Sequence, residues 1–228
     1  MNLSSRLFLS FLLVFASACA SPSRNNVPTN PDSSPDATLA ALKSGNKRFV
    51  SGKVRTDGQS SADILKLSTG QAPSAVVLSC SDSRVPPEAV FDKKLGEIFT
   101  VRTAGEALSP PTIGSIEYAI ANLGSKLIVV LGHTGCGAVK ATLDTPKGKS
   151  AGSQNLDALL ADITPRLKSG TSGQPRSADL KDESLENASG VAKDLMERSE
   201  IISTAVKSGK VKIISALYHL SDGTVTFE

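Results

Sequence analysis

The chain is expected to fold as an α/β domain, with a mostly parallel β-sheet flanked by helices and an extended N-terminal helix leading in. Three observations predict this. Continuous apolar runs recur at 75–80, 97–102, 126–133 and 211–220. Such runs suit strands covered on both faces, as in parallel sheets. Helical spacing falls between them, at 112–124, 138–143 and 185–208, so strands and helices alternate. The 228 residues are 39% hydrophobic and 21% charged, enough for one sizeable core.

The first residues read as a targeting segment. Residues 1–18 carry Arg6, then an apolar run over 7–15 broken only by Ser10, then the small residues Ala16, Ser17 and Ala18. This is the layout of a signal peptide, and the run is short for a membrane span. Cys19 directly after small residues resembles a bacterial lipoprotein signal, although Ala16 stands where such signals favour Leu. Lipidated Cys19 would then be a membrane tether; cleavage without lipid and an uncleaved anchor are the alternatives. The expectation is an exported protein, periplasmic or in the cell envelope. Residues 19–36 hold four prolines among Ser and Asn and read as a flexible tether, which leaves 37–228 as the folded domain.

Within that domain, residues 37–53 predict a helix with Leu39, Leu42 and Phe49 on one face. A short helix or turn follows at 62–70. The run 75–80 is the first strand, and Pro86 and Pro87 keep it from continuing far. Residues 97–102 form the second. Ile113, Ile116, Ala119 and Ile120 give 112–124 its helical stripe, and Gly124 can cap it. The third strand, 126–133, leads through a Gly-rich turn into a helix. Residues 155–170 predict a helix bent or ended near Pro165, and 172–183 a polar loop. A long amphipathic helix at 185–208 precedes the fourth strand, and the turn at 221–225 leads into a last short strand.

Charge argues against nucleic acid. The net charge is +3 with no dense Lys/Arg run, and aromatics are limited to seven Phe and two Tyr. Beyond Cys19, the cysteines are Cys80 and Cys136. Cys80-Ser81-Asp82-Ser83-Arg84 and His133-Thr134-Gly135-Cys136-Gly137 each sit where a buried strand leaves the sheet, the place such sheets keep their sites. Two thiolates and one imidazole make a good zinc set, with three protein ligands leaving a fourth position open. Gly135 and Gly137 would remove bulk where backbone and metal come close. A Cys80–Cys136 disulfide, or two cysteines buried merely as small hydrophobes, are the competing readings. Asp82 and Arg84, at i and i+2, share a face in an extended stretch and can form a bidentate pair.

The pair C-x-D-x-R and H-x-x-C, about fifty residues apart, resembles the motifs of the β-class carbonic anhydrases. The resemblance extends over about residues 39–228 and includes LKSGNKRF, GEIFTVRTAG and IEYAI. It implies that Cys80, His133 and Cys136 hold Zn2+, whose bound hydroxide converts carbon dioxide to bicarbonate and a proton. It implies that Arg84 keeps Asp82 off the metal while Asp82 orients the hydroxide, or that Asp82 itself closes the site. Gln71 matches a glutamine that binds substrate. Phe99 and Tyr118 match apolar pocket residues brought in at a dimer interface, and a homodimer or tetramer is implied. Two departures stand out. Arg102 matches the arginine of an inhibitory bicarbonate pocket, but Val77 replaces its Trp. Glu106 replaces an Asn beside the pocket. Hydrolysis of carbonyl sulfide or carbon disulfide on the same site, and a non-catalytic zinc scaffold, are the alternative functions. His219 reads as a structural strand residue.

Overall fold

The structure, a computed structural model, describes residues 34–168 and 174–228. The expected signal segment, Cys19 and the expected tether up to residue 33 lie outside the described residues. Helix α1 (Pro35–Val50) opens the fold, two residues before the expected start. Ser34 caps it by accepting from the Ala37 N–H, and Pro35 occupies the first turn, where its missing N–H costs nothing. Leu42 is fully buried, with Leu39 and Phe49 packed beside it, as their spacing predicts. Helix α2 (Ser61–Leu67) is short and closed by a reciprocal Ser60–Asp63 cap.

Among the described residues the sheet has five strands: β1 (Ala75–Cys80), β2 (Ile98–Thr103), β3 (Leu127–His133), β4 (Lys212–Tyr218) and β5 (Val225–Phe227). Their order is β2-β1-β3-β4-β5, parallel except for the β4–β5 hairpin. Between them run α3 (Pro87–Val90), α4 (Pro110–Ala121), α5 (Gly137–Asp144), α6 (Gln154–Ile163), α7 (Lys181–Arg198) and α8 (Glu200–Lys207). One sheet face buries Val77, Leu127, Val129 and Leu131 against Leu42 and Phe91. The other buries Val76, Leu78, Ile128 and Val130 against Ile113 and Ile116 of α4 and Val191 and Leu195 of α7. Both faces are covered, which is why the central strands read as unbroken apolar runs. Gly132 lets α7 come close to β3: a Cβ there would stand 2.9 Å from the Ser184 carbonyl oxygen.

Two expectations need correction. The helix predicted over 185–208 is two helices. Ser199 adopts an extended conformation, and its side chain accepts from the Ile202 N–H while its hydroxyl donates to Glu117. A serine that caps the following turn competes with the helix it interrupts. The polar loop expected at 172–183 gives way to α7 at Lys181, with Asp182 and Glu183 in a first turn that favours negative charge. Pro86 and Pro87 do more than stop a strand; Pro87 starts the one-turn helix α3, which holds Val90 in the core.

Candidate metal centre

β1 and β3 are adjacent, and each ends on an expected ligand. Ser79 pairs with Leu131, so Cys80 and His133 leave the sheet at the same edge. The chain then turns through Thr134 and Gly135 and returns with Cys136 as the residue that caps α5. Gly135 has φ +64°, a conformation that side chains resist. Thr134 fastens this turn to β4. Its N–H donates to the Tyr218 carbonyl at 3.0 Å, and its hydroxyl oxygen accepts from the Leu220 N–H at 3.0 Å. Gly137 plays no such part: its φ is ordinary and nothing lies within 4 Å of a Cβ built on it.

The ligand atoms of Cys80, His133 and Cys136 all lie within 4.8 Å of one another, and all three residues are buried. The thiols are free, with their sulfurs 4.0 Å apart, against about 2 Å for a disulfide. Two sulfurs held about 2.3 Å from a tetrahedral zinc would stand about 3.8 Å apart, so the spacing fits. His133 donates from Nδ1 to the Thr134 carbonyl at 2.9 Å, which leaves Nε2 with a bare lone pair. That Nε2 is buried and, among the described residues, has no hydrogen-bond partner. A buried lone pair without a donor is costly, and a cation beside two sulfurs would satisfy it.

The sulfurs share a proton. The hydrogen bond from Cys136 pulls the Cys80 thiol down to about 4, helped by the Gly105 N–H at 3.4 Å from Sγ. The same bond, with burial, pushes Cys136 up. Their shared hydrogen bond thus favours the charge on Cys80 and the proton on Cys136. A dication bound there would release the remaining proton. Val139, Leu143, Ile163, Leu167 and Leu180 pack around the sulfurs and keep water from that side.

Asp82 and Arg84 form the expected bidentate pair. Arg84 donates from Nε to Oδ1 at 2.9 Å and from Nη2 to Oδ2 at 2.7 Å, and its main-chain N–H reaches Oδ1 at 3.0 Å. These donors hold the Asp82 carboxyl well below the usual carboxylate range. Asp82 Oδ2 stands 3.8 Å from His133 Nε2.

Arg102 is engaged in this loop. It donates from Nε to the Cys80 carbonyl at 3.1 Å and from Nη2 to the Asp82 carbonyl at 2.7 Å. Val77 is fully buried in the cluster with Leu42 and Phe91. Glu106 lies behind the centre, 1% exposed and at φ +53°. Asn187 of α7 donates to its Oε2 at 3.1 Å and to the Gly105 carbonyl at 2.8 Å, while Oε1 has no partner among the described residues. Burial, reinforced by the nearby Cys80 charge, pushes the Glu106 carboxyl well up. The folded state thus keeps a proton that the unfolded chain gives up above about pH 4.3. Its stabilising share is present at low pH and lost as pH rises through the folded value. Glu106→Gln is therefore expected to raise Tm by about 3–6 °C at pH 9 and by little at pH 5. Equal melting curves for the two proteins at pH 9 would show that burial places no such load on Glu106.

The remaining site residues are not brought to the centre by a single chain. Gln71 is exposed and precedes the far end of β1, which spans about 17 Å of strand. Phe99 pairs with Val76 near the start of β2, again far from Cys80. Tyr118 on α4 is 51% exposed. His219 accepts from or donates to the Thr226 hydroxyl at 2.9 Å across the β4–β5 hairpin, a structural place, although its neighbours Tyr218 and Leu220 anchor Thr134. Sequence reasoning missed Asn187 and the loop-fastening bonds of Arg102. The register of Ser79 opposite Arg102 is the only signal for the second, and it exists only once the strands are paired.

Comparison with known proteins agrees with this geometry. The family model described as carbonic anhydrase matches residues 75–225. A carbonic anhydrase of Mycolicibacterium smegmatis is 39% identical over 196 residues, covering 86% of this chain and 94% of its own. Carbonic anhydrase 2 of Mycobacterium tuberculosis is 37% identical over 194 residues, covering 85% and 92%. Among solved structures, the β-carbonic anhydrase of Coccomyxa superposes with a TM-score of 0.65 at 23% identity, over 83% of this chain and 85% of its own. A tetrameric β-carbonic anhydrase of Sordaria macrospora gives 0.61 at 23% identity, over 83% and 96%. At such identities the structural likeness speaks for the fold.

Proposed function

The chain belongs to the β-class carbonic anhydrases, and from that premise we propose that it hydrates carbon dioxide reversibly to bicarbonate at a zinc site formed by Cys80, His133 and Cys136. The observation that carries the zinc assignment is the buried, partnerless Nε2 of His133 beside two sulfurs at tetrahedral spacing. Zinc, when bound, supplies a water acidic enough to act as a nucleophile near neutral pH. The protein supplies order. Asp82, kept ionised by Arg84, accepts the hydrogen of the attacking oxygen and fixes where its lone pair points. The apolar packing around the sulfurs lowers the local dielectric and strengthens that hydrogen bond.

Gln71, Phe99 and Tyr118 reach the substrate, in this reading, from a second copy of the chain. Their distance from Cys80 within one chain supports it, as does the exposed apolar set Ile64, Leu65, Leu95 and Tyr118. The assembly is then a homodimer or a tetramer, and the Sordaria macrospora relatives are tetrameric. Residues 1–18 export the domain and Cys19 tethers it to a membrane, a reading supported by the sequence pattern described above. Recovery of the full chain from a membrane fraction, and its release by Cys19→Ala, is the check. A wholly soluble cytoplasmic chain would overturn it.

Stopped-flow hydration of carbon dioxide, with zinc content measured in parallel, tests the function. Activity that rises from pH 7 to pH 8.5 at one zinc per chain is the expected result. Full zinc with no turnover at either pH would exclude it, and turnover of carbonyl sulfide instead would identify the sulfur substrate.

A further inference from the structure

We propose that Asn187 is a positioning residue for the metal centre: it fixes the turn after β2 so that the Gly105 N–H stays on Cys80 Sγ and draws electron density from that sulfur. The inference rests on the zinc reading given above. The turn, Ala104–Glu106, holds two successive residues in the left-handed region, Gly105 at φ +60° and Glu106 at φ +53°. Only the first is a glycine, so the partners of the turn set its conformation, against local preference. Packing fixes where Gly105 sits: a Cβ there would stand 2.8 Å from Ile163 Cδ1 and 2.9 Å from Ala138 Cβ. Packing does not fix which way the two flanking peptides point.

Asn187 does. It is fully buried on α7. Its Nδ2 donates to the Gly105 carbonyl at 2.8 Å and to Glu106 Oε2 at 3.1 Å, and its Oδ1 accepts from Arg166 Nη1 at 3.5 Å. Arg166 is itself held by Asp162 at 2.9 Å and Asp194 at 2.7 Å, so the clamp is anchored in α6 and α7. The clamped carbonyl lies one Cα from the N–H that reaches Cys80 Sγ at 3.4 Å. Two other side-chain fastenings lie outside this pair of peptides. The Leu108 N–H donates to Asp162 Oδ2 at 2.8 Å, and the Thr103 hydroxyl donates to the Ala107 carbonyl at 2.9 Å. Loss of the Asn187 amide would strip a buried carbonyl of this donor, and the turn would rotate to recover one. The Gly105 N–H would leave the sulfur with it. A hydrogen bond to a metal-bound thiolate takes up part of the charge that the sulfur would otherwise give the ion. Two thiolates give a cation more charge than imidazoles do, which works against an acidic bound water; the Gly105 N–H offsets part of that.

The visible and near-ultraviolet spectrum of the cobalt(II)-loaded full chain tests this without measuring turnover. The wild-type chain should show a sulfur-to-cobalt charge-transfer band. Asn187→Leu, similar in size but with no amide, should load cobalt equally and show the band at longer wavelength, because a sulfur without its N–H donor gives up an electron more easily. Asn187→Gln, which keeps the amide but displaces it by one methylene, should fall between them and carries the test if the leucine variant does not fold. Val191→Ala, a buried loss on the same helix within the apolar cluster against the sheet, should leave the band in place. Zinc-loaded Asn187→Leu should lose about tenfold in kcat/KM, the lower end of what an outer-shell partner contributes. A band unmoved in both Asn187 variants overturns the assignment. So does an equal shift in Val191→Ala, which would mean general loosening and not a lost donor. A wild-type chain with no charge-transfer band fails at the zinc reading itself, and the role of Asn187 falls with it.

Discussion

Cys136→Ser is expected to lose its zinc and, with it, at least about 10³-fold of hydration activity. Serine keeps the size of the side chain but not its chemistry. A hydroxyl does not ionise near neutral pH, so the site would be left with one thiolate and one imidazole, too few to hold the ion against dialysis. Cys136 is 1% exposed, and its hydroxyl replacement would sit among Val139, Leu143 and Ile163. Two effects on stability follow: a buried hydroxyl in an apolar cluster, and loss of a ligand that binds only the folded state. Metal content by mass spectrometry after dialysis, paired with stopped flow, reads both. One zinc per chain with wild-type turnover in Cys136→Ser would remove Cys136 from the ligand set.

The centre was legible in the sequence because each ligand is marked by its neighbours. Cys80 and His133 close apolar runs, and in a parallel sheet such runs end at a common edge. H-x-x-C needs only one turn to bring its two side chains together. The fold was legible for the same reason, since strands buried on both faces advertise themselves. What the sequence could not show depends on distant pairings. Arg102 finds its carbonyls twenty-two and twenty residues back, and Asn187 meets Glu106 across eighty-one. No local pattern encodes those contacts. Ser199 is invisible as a helix break because serine is unremarkable within a helix until its hydroxyl caps the next one. Gln71, Phe99 and Tyr118 could be named from the family resemblance but not placed, because one chain does not hold them near the metal. In the sequence Glu106 stands out only as a substitution; its burial behind two sulfurs is a fact of packing.

Asp82→Asn should keep zinc and lose about 10²-fold in kcat/KM, and the defect should be nearly the same from pH 6 to pH 9. The retained zinc follows from the geometry, in which Asp82 stands beside the three ligands and is bonded to Arg84. The loss follows from what asparagine cannot do. It presents one acceptor oxygen where the carboxylate presents two, so it must choose between Arg84 and the attacking oxygen. Its amide nitrogen, turned toward Arg84, would face donors with a donor. The attacking oxygen would then rotate freely, and the orientation that Asp82 provides would be lost. The flat pH dependence is the sharper part. Arg84 holds the Asp82 carboxyl below the usual range, so it stays ionised throughout the window and no proton of its own enters the profile. Any rise of activity with pH then belongs to the metal-bound water and should survive in the variant. Ligand loss and orientation loss are thus separable: Cys136→Ser removes metal and activity together, whereas Asp82→Asn removes activity with the metal in place. A variant as active as the parent would leave Asp82 and Arg84 as a surface pair fastening the loop, and the orienting role would have to pass to another group.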